Sequence, residues 1–281
     1  MNIGLVLSGG MGKGAFQIGA LKALNSFIPL KEIKYLSCSS VGVLNGYAYA
    51  TGNLDKAEKA WRSICADTPR LSVGKILKNN MLDSTISELC EGDPEISAPI
   101  YSTLFDINAK NVIYKDLSTV KKEELPKYLK ACVSMPVYNK SVKIGDSAFF
   151  DGAMIDNIPV YPLLEKELDY LICIYFDDVC YKFESTSFDN KIIKITFPAE
   201  TVLKQSVVLK QSTVENMIYV GYERTFEILT HIFSNGYEDK RFITNAIKAR
   251  QSAEKNLRLT GDVFVTNLNK ITQQLAKKKI L

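Results

Sequence analysis

"LVLSGGMGKGAFQIGAL", residues 5–21, passes from an unbroken apolar run through a glycine cluster into apolar residues at helical spacing. Five glycines, at positions 9, 10, 12, 14 and 19, fall within eleven residues there. "IGLVLS" (3 to 8) is short and continuously apolar, as strands buried on both faces are, while "GAFQIGALKALNSF" (14 to 27) sets Phe16, Ala20, Leu21, Leu24 and Phe27 on one helical stripe. A strand, a glycine turn and a helix in that order make the unit of a parallel α/β sheet. The turn's backbone N–H groups, at a helix N-terminus, suit negative charge.

The unit recurs. "IKYLSCS" (33 to 39) reads as the next strand, "SVGVLNGYAYATG" (40 to 52) as a helix ending in glycine, and "LDKAEKAWRSIC" (54 to 65) as an amphipathic helix capped by Asn53. Residues 66 to 98 are less regular, with short helices joined by polar turns, and form the expected lid-like stretch. Strands follow at 99 to 107 and 111 to 116, then a helix at 121 to 135 halted by Pro136, then strands at 169 to 176 and 191 to 199. Beyond residue 200 the spacing is helical almost without interruption. The expectation is one domain over 1–281, with an α/β core at 1–199 and a helical C-terminal portion at 200–281.

Composition narrows the function. With 281 residues, 46% of them hydrophobic, the chain can fill a large core, so disorder is not its main theme. Its 35 basic and 31 acidic residues give a net charge of +4 without a basic stripe, which argues against nucleic acid as a partner. Six cysteines (Cys38, Cys65, Cys90, Cys132, Cys173 and Cys180) lack a CxxC pair and read as reduced core residues, so neither disulfide nor metal nor other cofactor is expected. The opening "MNIGLVLSGG" carries no leader pattern and no stretch has membrane-spanning length, which together point to the cytoplasm. The lysines of the tail "NKITQQLAKKKIL" read as a solvated helix end, with transient contact to an anionic membrane surface as the lesser reading. Nothing in the sequence speaks to oligomeric state.

The glycine loop is not a nucleotide loop. A Walker loop needs Ser or Thr after its lysine, but Lys13 precedes Gly14; a dinucleotide fingerprint starting at Gly10 needs glycine where Ala15 stands. What remains is a set of backbone donors.

The second strand-to-helix turn, "CSSVG" (38 to 42), supplies a partner for them. Ser40 stands on a sharp turn with small residues, Cys38 and Gly42, two positions to either side, as at a nucleophile elbow. Ser39 has the wrong distance to Gly42 for that role. A helix starting at Ser40 would favour a forming alkoxide through its dipole. The base is either the single histidine, His231 in "FEILTHIF", or a carboxylate in "DGAMIDNIP", where Asp151 follows the strand-like "SAFF" and Asp156 stands nearby as a turn residue.

"SGGMGKG", "SSVGVLN" and "DGAMIDNIPV", in that order, together with the Ser-x-Pro approach "KACVSMPVYNKSVKIGDSAFFDGA", resemble the patatin-like phospholipase family over roughly residues 3 to 178. The resemblance implies a three-layer fold with a mostly parallel central sheet flanked by helices. It also implies a Ser40–Asp151 dyad without histidine, and an oxyanion hole at Gly9, Gly10, Met11 and Gly12. The chain departs from the family pattern by carrying Met11 for glycine, Lys13 for arginine and Cys38 for glycine. The activity implied is cofactor-independent hydrolysis of lipid acyl esters, of phospholipase A, lysophospholipase or esterase type. The alternative is a catalytically weak relative that binds lipid or a partner.

Overall fold

The computed structural model describes residues 1–64, 71–72, 81–136, 138–176, 180–182, 189–197, 208–253 and 256–258. An eight-stranded mixed sheet forms its centre. Its strands are β1 (Ile3–Leu7), β2 (Ile33–Cys38), β3 (Ile100–Asp106), β4 (Asn111–Asp116), β5 (Val142–Ile144), β6 (Ser147–Asp151), β7 (Tyr170–Tyr175) and β8 (Ile192–Thr196). Their order is β8-β7-β1-β2-β3-β6-β5, with β4 on the remaining edge of β3. The first five of that series run parallel. Every residue of β1 and β7 is buried, as strands in the middle of a parallel sheet must be.

Among the described residues the α-helices are α1 (Gly14–Asn25), α2 (Val41–Ala50), α3 (Leu54–Ser63), α4 (Met81–Cys90), α5 (Leu125–Cys132), α6 (Gln211–Ile232) and α7 (Lys240–Ala253). Alternation along β1 splits the core: Leu5 and Leu7 face the larger cluster with the helices, and Val6 faces a smaller one closed by Val160, Leu163 and Leu168. α6 lies directly on α1. A Cβ on Gly19 would fall 1.9 Å from the Ile218 carbonyl oxygen, and one on Gly221 2.1 Å from that of Phe16, so only glycines allow the two backbones to touch.

Two strands meeting end to end on one edge of β3 decide where the functional residues go. β4 occupies one edge of β3 along Tyr101–Asp106. The other edge is shared: β2 runs parallel to it and ends with Cys38 opposite Ser102, and β6 comes antiparallel and ends with Asp151 opposite Leu104. The residues just past these two strand ends converge around Thr103.

The structure trims several elements and redraws some. The helix expected at 121 to 135 spans Leu125–Cys132, starting where Pro126 in the first turn can do without its N–H and ending before Ser134, whose hydroxyl bonds the Lys130 carbonyl at 2.7 Å. Asn53 stands at the N-cap of α3, but its amide donates to the Thr51 hydroxyl at 3.1 Å instead of capping the helix. The helical run expected from residue 200 is broken: Val208–Leu209 pairs as a short strand with Leu71–Ser72, and Asn256–Arg258 with Cys180–Lys182. Within the lid-like stretch, α4 is the helix described. The tail "NKITQQLAKKKIL" lies outside the described residues.

Candidate active site

Ser40 follows β2 on a backbone that few side chains tolerate, with φ 51° and ψ −132°. Such a conformation costs on the order of 1–3 kcal/mol and persists only where the surroundings enforce it. The enforcement is visible. The Ser39 N–H donates to the Leu7 carbonyl at 3.0 Å, and its hydroxyl bonds Thr103 Oγ1 at 2.7 Å and the Asp156 carbonyl at 3.0 Å. A Cβ on Gly42 would lie 2.7 Å from the Leu7 carbonyl oxygen and 2.8 Å from that of Ser8, so the turn closes only with glycine there. Although Ser40 occupies the N-cap of α2, its hydroxyl makes no capping bond. It is buried to all but 7%.

The departure at Cys38 is absorbed one turn further on. A Cβ on Gly46 would sit 2.6 Å from Cys38 Sγ, so the missing side chain at 46 makes the room that the cysteine fills. Burial pushes the Cys38 thiol far above its ordinary pKa, which keeps it protonated and unreactive.

Asp151, the last residue of β6, is fully buried. Its N–H donates to the Ser134 carbonyl at 2.8 Å, which gives the Ser-x-Pro segment a structural role: it pins the carboxylate's backbone. One carboxylate oxygen, Oδ1, accepts the Ala153 N–H at 2.9 Å; the other, Oδ2, is buried without a hydrogen-bond partner. Desolvation pushes the Asp151 pKa up to about 7, against the opposing pull of the Ser40 hydroxyl and the Ala153 N–H. The Ser40 hydroxyl is thus near enough to this carboxylate to oppose its desolvation.

Asp156, the neighbouring carboxylate, is tied elsewhere: its Oδ2 accepts from the Tyr114 hydroxyl at 2.7 Å. Burial raises its pKa as well. His231 is exposed in the last turn of α6 and bonds neither Ser40 nor Asp151.

The glycine loop lies against both. The Gly9 N–H donates to the Asn157 carbonyl and the Asn157 amide returns to the Gly9 carbonyl, each at 3.3 Å, so the loop is docked on the turn that carries Asp151. The N–H groups of Gly10, Met11 and Gly12 donate to no acceptor among the described residues. Met11, the departure from glycine, holds φ 52°, a left-handed value that a non-glycine residue adopts at a cost of about 1–2 kcal/mol. Lys13 reaches over the Phe176 ring, 5.9 Å from its centroid.

An apolar groove opens from Ser40, Met11 and Gly12, with about 710 Å³ of empty space including the part open to solvent. Leu44, Trp61, Ile64, Leu82, Leu89 and Met135 line it. α4, from the lid-like stretch, therefore forms one of its walls. Three amides near the loop, the buried Gln17 and Asn45 and the exposed Asn157, escaped the sequence reading. For two of them a signal exists: Gln17 and Asn45 are the polar residues in "GAFQIGAL" and "VGVLNGYA", helical segments that are otherwise apolar and buried.

Among the described residues no group of three or more His, Cys, Asp and Glu side chains comes together as a metal site would require. No helix among them is long and apolar enough to cross a membrane.

The fold is thus an α/β architecture, a mostly parallel mixed sheet flanked by helices, with a strained serine at one strand end and a buried carboxylate at another. The family model for patatin-like phospholipases matches residues 5–164, more than half of the chain, and the protein belongs to that family. Among solved structures, VipD from Legionella pneumophila is similar over 81% of this chain and 66% of its own, at a TM-score of 0.51 and 12% identity, which is a likeness of fold. The type III effector protein ExoU aligns over 98% of this chain and 63% of its own, with a TM-score of 0.41 and 13% identity. The chain thus spans just under two thirds of the length of each.

Proposed function

We propose that the protein hydrolyses carboxylic esters of lipids through a Ser40–Asp151 dyad, with the backbone amides of Gly10, Met11 and Gly12 as oxyanion donors and Gly9 as the loop's anchor. The observation that supports this reading most is a serine held at φ 51° in the lining of an apolar groove, beside a fully buried carboxylate whose raised pKa its hydroxyl opposes.

The acyl chain lies in the groove and its carbonyl carbon meets Ser40 Oγ. As that bond forms, Asp151 takes the hydroxyl proton and the carbonyl oxygen becomes an anion held by the loop amides. Collapse expels the alcohol, which leaves with the proton from Asp151, and an acyl-serine remains. Water then attacks the acyl carbon and gives its proton to Asp151; collapse releases the fatty acid, and Ser40 regains a proton. A carboxylate with a pKa near 4 is a weak base at neutral pH, whereas one near 7 is matched to the task.

Labelling with a fluorophosphonate, followed by peptide mapping, tests the nucleophile, and a lipid-hydrolysis profile read against Ser40→Ala tests the substrate class. The expected results are label on Ser40 and loss of all ester cleavage in the variant. Binding of lipid with no label and no cleavage would favour the catalytically weak alternative.

A further inference from the structure

Behind the glycine loop runs a chain of buried amides that begins at the protein's only tryptophan. Trp61 donates its indole N–H to Asn45 Oδ1 at 3.1 Å. Asn45 Nδ2 donates to the Gly14 carbonyl at 2.9 Å and to Gln17 Oε1 at 2.8 Å. Gln17 Nε2 donates to the Ser8 carbonyl at 2.8 Å. We propose that Trp61, Asn45 and Gln17 form a relay that positions the Ser8–Gly14 loop for hydrolysis, with the indole N–H supplying the donor that Asn45 Oδ1 needs at its far end; this rests on the loop's role as oxyanion hole.

The direction of the bonds follows from donor and acceptor chemistry. An indole nitrogen can only donate, so Asn45 must turn its oxygen toward Trp61. That leaves the Asn45 nitrogen facing Gly14 and Gln17, which obliges Gln17 to present its own oxygen to Asn45 and its nitrogen to Ser8. The Gly14 and Ser8 carbonyls, which can only accept, demand the same orientation, so loss of the indole N–H does not flip the amides; it leaves Asn45 Oδ1 buried without a donor and loosens the hold of its amide on Gly14. Gln17 and Asn45 are 0% and 1% exposed, so water does not restore the lost bonds.

The relay grips the loop at both ends, through the carbonyls of Ser8 and Gly14, and the three open amides lie between those grips. Trp61 also touches the loop by packing, since a Cβ on Gly14 would fall 2.6 Å from its Cζ2. The same residue lines the apolar groove, so the wall that meets an acyl chain is bonded to the frame of the loop. Trp61 is a positioning residue: it acts on the reaction through the loop.

Trp61→Phe removes the N–H and keeps an aromatic wall. Hydrogen–deuterium exchange of the segment 8–14 is expected to quicken about tenfold, with circular dichroism unchanged. With p-nitrophenyl decanoate, kcat is expected to fall about tenfold and by more than KM changes, because misplaced donors weaken the transition state while phenylalanine keeps an aromatic wall in the groove. A decyl trifluoromethyl ketone, whose adduct carries the oxyanion, is expected to lose about tenfold more affinity than decanoic acid, which meets the same altered wall without forming the oxyanion. Asn45→Asp, which still accepts from the indole but cannot donate to Gly14, is expected to lower kcat further. An unchanged exchange rate, or a kcat within twofold of wild type, overturns the relay. Failure of the proposed activity is told apart by the wild-type protein: if it cleaves no ester, or Ser40→Ala still does, the reading of the site is wrong, and loop exchange alone then judges the relay.

Discussion

Replacing Asp151 with asparagine tests two consequences of one buried carboxylate. The side chain has the same shape, so packing is preserved, but it no longer carries a charge or takes a proton. In the native protein desolvation raises the Asp151 pKa from 3.8 to about 7. The folded state therefore binds this proton more tightly than the unfolded chain does. Between about pH 4 and pH 7 the native state holds more protons, so stability declines as pH rises through that window. At about 1.4 kcal/mol per unit, the span from pH 5 to pH 8 lowers the wild-type unfolding free energy by roughly 2–3 kcal/mol through this group. Asp151→Asn lacks that loss. Urea unfolding of both proteins at the two pH values cancels contributions from other groups, Asp156 among them, and leaves the difference. Catalysis moves the opposite way. Wild-type kcat/KM for a p-nitrophenyl ester is expected to fall tenfold per unit below about pH 7 as the base is protonated, and the variant is expected to lose at least 10²–10⁴ of activity at every pH. The variant should thus gain stability relative to wild type at pH 8 while losing turnover. Equal pH dependence of unfolding in the two proteins, or a variant with near-wild-type kcat, would refute the assignment; Asp156→Asn, expected to keep most activity, is the control.

Ser40→Gly relieves the backbone at φ 51°, ψ −132°, and is expected to gain about 1 kcal/mol in urea unfolding while abolishing hydrolysis; no gain would mean that the turn is unstrained. Gly42→Ala forces a Cβ to 2.7 Å from the Leu7 carbonyl oxygen, so about 1–3 kcal/mol of stability should be lost, and an unfolding midpoint equal to wild type would contradict the closeness of that turn. Cys38→Gly empties the space beside Gly46, so stability should fall by about 1–3 kcal/mol while kcat stays within threefold; loss of fluorophosphonate labelling in a folded variant would instead give the cysteine a part in the chemistry. His231→Ala, at an exposed helix end, should leave kcat within twofold, and a thousandfold fall would mean that a triad operates.

Short-range chemistry was legible in the sequence because it is written in short windows. The continuous apolar runs of β1 and β7, the helical stripe of α1 and the small residues around Ser40 each need only a few neighbours in the chain to be read. Their order, with the three quoted motifs, carried the family resemblance and with it the dyad as an expectation. Helix ends and the region past residue 200 were less legible, since Pro126 suits a first turn as well as it breaks a helix, and Val208–Leu209 becomes a strand only because Leu71–Ser72 lies beside it. Only the tertiary structure brings Ser40 to Asp151, because β2 and β6 end on the same edge of β3 from opposite directions. It also raises the Asp151 pKa as the proposed base role requires, for a value near 7 comes from the exclusion of water by the whole fold and from no local feature of "DGAMID". Gln17 and Asn45 look like misplaced polar residues in apolar helices until folding sets Ser8, Gly14 and Trp61 around them. Periodicity and turn chemistry are local properties of the chain, whereas desolvation and hydrogen-bond partnership belong to surroundings that distant segments supply.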